Sequence, residues 1–217
     1  MQNIENRKKD ATVIVVTALK LLLICAFIAA LVASVNYITK DRIAYNQKLN
    51  TASALSDIYS ENGMVFSVDE SGAYVVADAD GNPLGSCETA KVELVEDIDA
   101  VYIIRNADGS VFGYCAAASP MGFKNEVGML VAVNPDGSAK AVKIISLSDT
   151  KGIGDKVTKN DFLDKFKEKT AGFSSNISEM NDLIIAGATR TSEPVTKAVD
   201  IALAQVGKLI DGGAENE

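Results

Sequence analysis

The chain has 217 residues, enough for one ordinary domain with appendages, and it carries a net charge of −8 with no histidine. The lack of histidine excludes Ser-His and Cys-His catalysis as well as histidine-based zinc sites. Beyond residue 39 the chain has 17 Lys and Arg against 27 Asp and Glu, a balance that repels phosphate backbones, so nucleic acid is not expected as a partner.

An uncharged apolar run, from Leu21 to Ile38, lies near the N-terminus. As a helix that rises about 1.5 Å per residue, it approaches the roughly 30 Å of a bilayer's hydrocarbon core. Because the run is longer than the apolar part of a signal peptide, we predict a retained transmembrane helix over residues 12–39, with lipid as its surroundings. Basic residues precede this helix at Arg7, Lys8, Lys9 and Lys20. By the positive-inside rule, residues 1–11 are then cytoplasmic and the main domain of this single-pass cell-membrane protein is extracytoplasmic.

Residues 40–62 follow the apolar run and predict a stalk helix. Its imperfect apolar stripe consists of Ile43, Leu49, Leu55 and Ile58. The remaining residues, 63–217, predict one folded extracytoplasmic domain.

Three similar passages in this domain each join a β-branched or aromatic run to an Asp-Gly pair, ending at Gly81, Gly109 and Gly137. Asp-Gly after such a run indicates a hairpin, because glycine adopts the positive φ of a tight turn. We therefore predict an antiparallel sheet, followed by one more strand over residues 141–147.

Two helices are predicted after the sheet. Asn160 and Asp161 can cap a short helix whose apolar face consists of Phe162, Leu163 and Phe166. Ser192 can cap a C-terminal amphipathic helix that has Pro194 in its first turn and ends at Gly212 and Gly213. The apolar face of that helix consists of Val195, Val199, Ala202, Val206 and Leu209. The fold class is α+β.

Cys87 and Cys115 are the two cysteines of the extracytoplasmic domain. A disulfide and two reduced, half-buried thiols are both compatible with that compartment. No metal site and no catalytic acid–base pair is predicted.

Two segments could bind a ligand. Residues 149–156 contain Gly152, Ile153 and Gly154, so the backbone there could approach a flat or phosphorylated molecule, although an ordinary turn gives the same pattern. Residues 186–192 place a hydroxyl and a cation, on Thr189 and Arg190, just before a helix. That arrangement suits either a phosphate site or a simple capping loop.

These two segments, with a single N-terminal anchor, resemble the family of covalent FMN-binding proteins over essentially the whole chain. Within it the chain is similar to the G subunits of Rnf electron-transport complexes and to their relatives, the C subunits of sodium-pumping NADH:quinone reductases. The resemblance implies that a flavin transferase joins FMN, taken from FAD, to Thr189 by a phosphoester. It also implies further cofactor contacts from Ala186, Gly187, Ala188 and Arg190, from Thr150, Gly152, Ile153 and Gly154, and from a Gly-aromatic loop at Met121-Gly122-Phe123.

The function implied by this resemblance is that of an electron-carrier subunit without a complete active site of its own. It would relay electrons through FMN in an ion-translocating ferredoxin:NAD oxidoreductase, beside other membrane and peripheral subunits. Two alternatives remain open: a stand-alone membrane-anchored flavoprotein reductase, and a tethered binding or sensory domain without redox chemistry.

Three positions depart from the family's motifs. Ala186 stands where a Ser or Thr is usual, and Lys151 stands where a Pro is usual. Leu183 occupies the place of an aspartate that the transferase prefers, although Asp182 is adjacent. These changes bear on the efficiency of flavin attachment more than on its position.

Overall fold

The computed structural model describes residues 2–147 and 154–212, with side-chain exposure described from Ile14 onward. The chain divides into two compact units, Met1–Gln47 and Lys48–Glu217.

The first unit consists of the N-terminal part of α1, a helix that spans Gln2–Ile58. Within this helix Ile14–Ile58 contains a segment long and apolar enough to cross a membrane, with a mean hydropathy of 2.7 in its most apolar window and no buried residue there. An apolar helix whose side chains face outward on every side is typical of a membrane anchor. The apolar N-terminal helix is therefore confirmed, whereas the boundaries at residues 12, 39 and 62 and the orientation across the membrane stay predictions.

The second unit is built on one seven-stranded antiparallel sheet in which every strand pairs with its neighbour in the sequence. The Asp-Gly turns explain this meander, since Gly81, Gly109 and Gly137 all have φ between 83° and 87°. The predicted antiparallel sheet is thus confirmed. Its strands are β1 Val65–Val68, β2 Tyr74–Ala77, β3 Pro83–Thr89, β4 Ile98–Asn106, β5 Val111–Ala118, β6 Val127–Val133 and β7 Ala139–Leu147.

Among the described residues, three α-helices follow the sheet: α2 Asn160–Leu163, α3 Ile177–Asp182 and α4 Thr189–Asp211. Side chains alternate between the two faces of the sheet along each strand, and each face contributes to its own buried apolar cluster. On one face, Val101 and Ile103 of β4 belong to the same apolar cluster as Val199 and Leu203 of α4. On the other face, apolar side chains of the sheet pack with the last turns of α1, which contribute Ala52, Ala54, Leu55 and the adjoining Tyr59.

The apolar face of α4 matches the prediction, since Val195, Val199, Ala202 and Val206 are fully buried. The predicted stalk stripe is wrong in part: Leu55 is buried, but Ile43 and Leu49 are exposed. The predicted short helix is also shorter than expected. It begins after Lys159 with no side-chain cap and passes into a 3-10 turn, Asp164–Phe166, while its three apolar side chains are buried.

Cys87 and Cys115 are both free and buried. They lie on β3 and β5, with β4 between them. Two strand spacings separate their Cα atoms by at least about 10 Å, well beyond the reach of a disulfide. Of the two alternatives left open by the sequence, the structure therefore favours reduced thiols.

Candidate functional site

The site begins at Thr189, the first residue of α4, which is exposed together with Arg190. The residue before the helix is Ala188, whose side chain cannot cap the free N–H groups of the first turn. Its carbonyl oxygen accepts hydrogen bonds from the backbone N–H groups of both Thr191 and Ser192, at 3.0 and 2.9 Å. The exposed hydroxyl of Thr189 therefore lies at the positive end of the helix dipole.

The predicted helix cap is wrong. Ser192 is fully buried inside the helix, and its Oγ accepts a hydrogen bond from the backbone N–H of Ile185 at 3.0 Å. Pro194 consequently lies within the helix instead of opening it. The helix begins three residues earlier, at Thr189, and the buried Ser192 hydroxyl has the hydrogen-bond partner that a buried polar group needs.

A tight turn leads into the helix. The N–H of Ala188 donates to the carbonyl oxygen of Ile185 at 2.9 Å, and Gly187 adopts a positive φ of 77°. Ala186 and Gly187 are exposed, whereas Ala188 is only 2% exposed. The turn thus presents two small residues to solvent beside Thr189, which leaves room for a ligand attached to its hydroxyl.

Lys156 reaches this turn from a 3-10 helix, Gly154–Thr158. Its Nζ donates to the carbonyl oxygen of Ala186 at 3.3 Å, and a Cβ added to Gly187 would lie 3.3 Å from the same Nζ. The buried Gly154 at the start of this 3-10 helix is the described end of the predicted glycine loop. Thr150, Gly152 and Ile153 of that loop lie outside the described residues.

The loop between β5 and β6 approaches the start of α4 from another direction. The guanidinium carbon of Arg190 lies 5.5 Å from the centroid of the Phe123 ring, within cation–π distance. The loop is closed by a hydrogen bond from the Gly122 N–H to the Asn125 carbonyl oxygen at 2.9 Å. The Met121-Gly122-Phe123 segment, assigned from the resemblance, therefore does adjoin Arg190.

An open groove of about 440 Å³ lies between this loop and α4. Its lining combines apolar surface with charges of both signs. The groove is lined by Asp97, Met121, Gly122, Arg190, Glu193, Pro194, Lys197 and Ile201. Such a mixture suits a ligand with a flat, partly apolar ring and polar substituents.

Asp97 is a member of this lining that no sequence pattern indicated. It has a positive φ of 65°, which is rare for a residue with a side chain. Burial raises the pKa of its carboxyl, and the neighbouring Glu96, Asp99 and Glu126 add to that rise. Only the chain path between β3 and β4 brings this acid to the groove, so no local pattern could have revealed it.

Within the residues that the structure describes, no group of three or more Cys, Asp or Glu side chains is placed to hold a metal ion. The arrangement around Thr189 instead combines a nucleophilic hydroxyl, a helix N-terminus and the cations Lys156 and Arg190. Hydroxyl, amide and cationic donors of this kind suit a phosphate group.

Two protein families match parts of the chain. Residues 7–58 match the RnfG N-terminal region, and residues 122–204 match the FMN-binding domain. The second match includes the Gly122 loop, Lys156, Thr189 and most of α4.

A curated relative and a solved structure illustrate what the chain is similar to. The relative is the G subunit of the proton-translocating ferredoxin:NAD(+) oxidoreductase complex of Clostridium ljungdahlii, which is 34% identical over 95 residues, covering 42% of this chain and 51% of that protein. The chain thus matches about half the length of this relative. The solved structure is the crystal structure of Shewanella oneidensis NqrC, which is 21% identical in sequence. The superposition has a TM-score of 0.40 and covers 52% of this chain and 59% of the NqrC chain.

Proposed function

We propose that the chain is an electron carrier that holds FMN covalently on Thr189, because residues 7–58 match the RnfG N-terminal region and residues 122–204 match the FMN-binding domain. The observation that carries the proposal is the exposed threonine at the uncapped start of α4, inside the segment that matches the FMN-binding domain.

The attachment is a transfer reaction at the Thr189 hydroxyl. The hydroxyl oxygen forms a bond to the FMN phosphorus of FAD, the pyrophosphate bond breaks, AMP leaves, and the hydroxyl proton is released. A flavin transferase is the proposed catalyst, as the resemblance to covalent FMN-binding proteins implies. The exposure of Thr189 supports this step, because a second protein must reach the hydroxyl.

The residues around Thr189 would hold the cofactor in distinct ways. The free N–H groups of the first helical turn and the nearby cations suit the phosphate. The groove beside Met121 and Gly122 offers an apolar wall for the ring, while Arg190 is held against the loop by the Phe123 ring. Bound FMN supplies the redox chemistry, and these side chains determine where it lies and how much water reaches it.

A covalent bond also fits a domain outside the cytoplasm. A cofactor that dissociates there would be lost by dilution, whereas a phosphoester makes occupancy independent of the FMN concentration. We place the domain outside on the strength of the basic residues that precede the apolar helix.

We assign the carrier to a membrane complex of the Rnf type. The match of residues 7–58 to the RnfG N-terminal region supports this assignment over a stand-alone reductase. Electrons would enter and leave through other subunits of that complex.

The departures from the family's motifs lie at positions with different surroundings. Ala186 is exposed, so the hydroxyl of the usual Ser or Thr would face solvent, and its absence leaves no buried polar group without a hydrogen bond. Leu183 is 2% exposed and belongs to the core, whereas the side chain of Asp182 is exposed beside it. Asp182 is therefore the carboxylate that a transferase could contact.

The test is the intact mass of the full chain, purified in detergent after coexpression with a flavin transferase. We expect one added FMN on the peptide that contains Thr189, and none in a Thr189→Val variant. Thr191→Val is the matched control, because Thr191 is fully buried two residues away and should not be a target. An unmodified Thr189 in the parent protein, made beside a transferase that modifies another substrate, would refute the proposal.

A further inference from the structure

Lys156 is the cation that contacts the turn before Thr189. Its Nζ lies 3.3 Å from the carbonyl oxygen of Ala186 and 3.3 Å from the point where a Gly187 side chain would begin. The residue is partly buried, and the hydrogen bond to Ala186 keeps its ammonium at the turn. Within the described ranges, no carboxylate forms an ion pair with it.

The other cation of the site has a different contact. Arg190 lies over the ring of Phe123, on the side of the groove and the β5–β6 loop. Lys197, further along α4, is paired with Glu193 at 2.8 Å. Lys156 is therefore the cation whose charge is directed at the turn itself.

We propose that Lys156 binds the phosphate of FMN and positions it for attachment to Thr189. The inference rests on the proposed function and deepens it. The phosphodiester formed on Thr189 carries one negative charge, and it would lie at the start of α4 between the helix amides and the Lys156 ammonium. An ammonium on a flexible stem can keep contact with the phosphate before and after the bond forms.

The glycine at position 187 supports this role. With no side chain there, the Lys156 ammonium can approach the backbone of the turn closely. A Cβ at that position would lie 3.3 Å from the ammonium, so the lysine side chain would have to shift slightly away from the turn. The same absence of a side chain leaves the phosphate itself free to approach.

The experiment compares three full-length variants in detergent, with FAD as donor and the transferase present. Lys156→Gln removes the charge, Lys156→Arg keeps it, and Lys159→Gln removes an exposed charge from the same segment as a control. We expect the initial rate of FMN attachment to fall about tenfold for Lys156→Gln, in line with the loss of a charge-assisted hydrogen bond at a partly exposed site, and to be largely kept in the other two.

A second measurement separates phosphate binding from a structural role. The ³¹P resonance of fully loaded protein should shift in Lys156→Gln and stay unchanged in Lys159→Gln. An unchanged rate together with an unchanged resonance in Lys156→Gln would overturn the role of Lys156 while leaving Thr189 as the attachment site. A parent protein without FMN would instead overturn the proposed function, and this inference with it.

Discussion

The guanidinium carbon of Arg190 lies 5.5 Å from the centroid of the Phe123 ring. This contact joins the first turn of α4 to the loop between β5 and β6. The two contacting residues are 67 positions apart in the sequence. Both residues are solvent-exposed, so the contact holds the groove's two walls together at its rim.

Removing the two partners singly and together should reveal their coupling. We expect Arg190→Gln and Phe123→Leu to be non-additive by about 0.5–1 kcal/mol in the free energy of unfolding, the usual strength of an exposed cation–π pair. Urea denaturation of the four proteins in a double-mutant cycle measures this coupling. Lys208→Gln, an exposed cation near the other end of α4, should combine additively with Phe123→Leu. Additivity of the Arg190 and Phe123 changes would show that the contact contributes nothing to stability.

The sheet and the apolar face of α4 could be predicted because their signals are local. An Asp-Gly pair after a β-branched run determines its own turn, and helical spacing determines which side chains face the core. The start of α4 could not be predicted in the same way. Ser192 has the chemistry of a cap, but its buried hydroxyl accepts a hydrogen bond from the backbone N–H of Ile185 in the preceding turn.

The candidate site also combines residues that a sequence motif indicates with contacts that only the fold brings about. Thr189 and the Met121-Gly122-Phe123 loop were assigned from motif resemblance, and the structure brings that loop against the residue next to Thr189. Asp97 and the contact of Lys156 with Ala186 depend on how distant segments approach each other. No spacing in the sequence encodes such an approach.

Gly187 offers a test of the turn before α4. Gly187→Ala should destabilise the domain by about 1 kcal/mol or more, because a side chain is strained at its φ of 77°. It should also slow FMN attachment, since the new methyl group would crowd the Lys156 ammonium at 3.3 Å. Thermal denaturation and the rate of flavin attachment are the two measurements.

The matched control is Gly207, which lies inside α4 with no atom within 4 Å of an added Cβ. Gly207→Ala should raise the free energy of unfolding by up to about 1 kcal/mol, since alanine favours a helix interior. Equal changes in the free energy of unfolding for Gly187→Ala and Gly207→Ala would show that the positive φ of residue 187 does not disfavour a side chain there.

Tyr59 provides a test of the second apolar cluster. Its hydroxyl is buried and has no hydrogen-bond partner among the described residues, while its ring packs against Phe66 and Phe112 at 5.7 and 5.6 Å. Burial accordingly raises the pKa of this phenol. Tyr59→Phe should therefore stabilise the domain by about 1 kcal/mol, because it removes a buried unpaired polar group and keeps the ring.

The comparison for Tyr59 is Tyr102→Phe. The Tyr102 hydroxyl lies 3.5 Å from that of Tyr74, so its removal should give no gain in stability. Chemical denaturation distinguishes the two variants. A loss of stability in Tyr59→Phe would mean that the hydroxyl has a partner in solution.

Cys87 and Cys115 should resist thiol reagents in the folded protein. Burial raises the pKa of the Cys87 thiol to about 12, with the nearby Glu88 as a smaller cause, and burial also raises the pKa of Cys115. The thiolate is the reactive form, so at pH 8 neither residue should be alkylated by a maleimide until denaturant is added. The measurement uses a Cys25→Ser variant, which removes the exposed cysteine, and mass spectrometry counts the maleimide groups added per chain.

The raised pKa of Cys87 also predicts how stability depends on pH. The folded protein keeps the proton at pH values where the unfolded thiol, with an ordinary pKa of 9.0, has lost it. The stabilisation is therefore complete below about pH 9 and is lost as the pH rises from there toward 12. Urea denaturation at pH 8 and pH 10.5 should show a smaller loss of stability in Cys87→Ala than in the parent, because alanine has no proton to release. An equal loss in both proteins would show that Cys87 does not ionise on unfolding in this range, and rapid labelling of the native protein at pH 8 would contradict its burial.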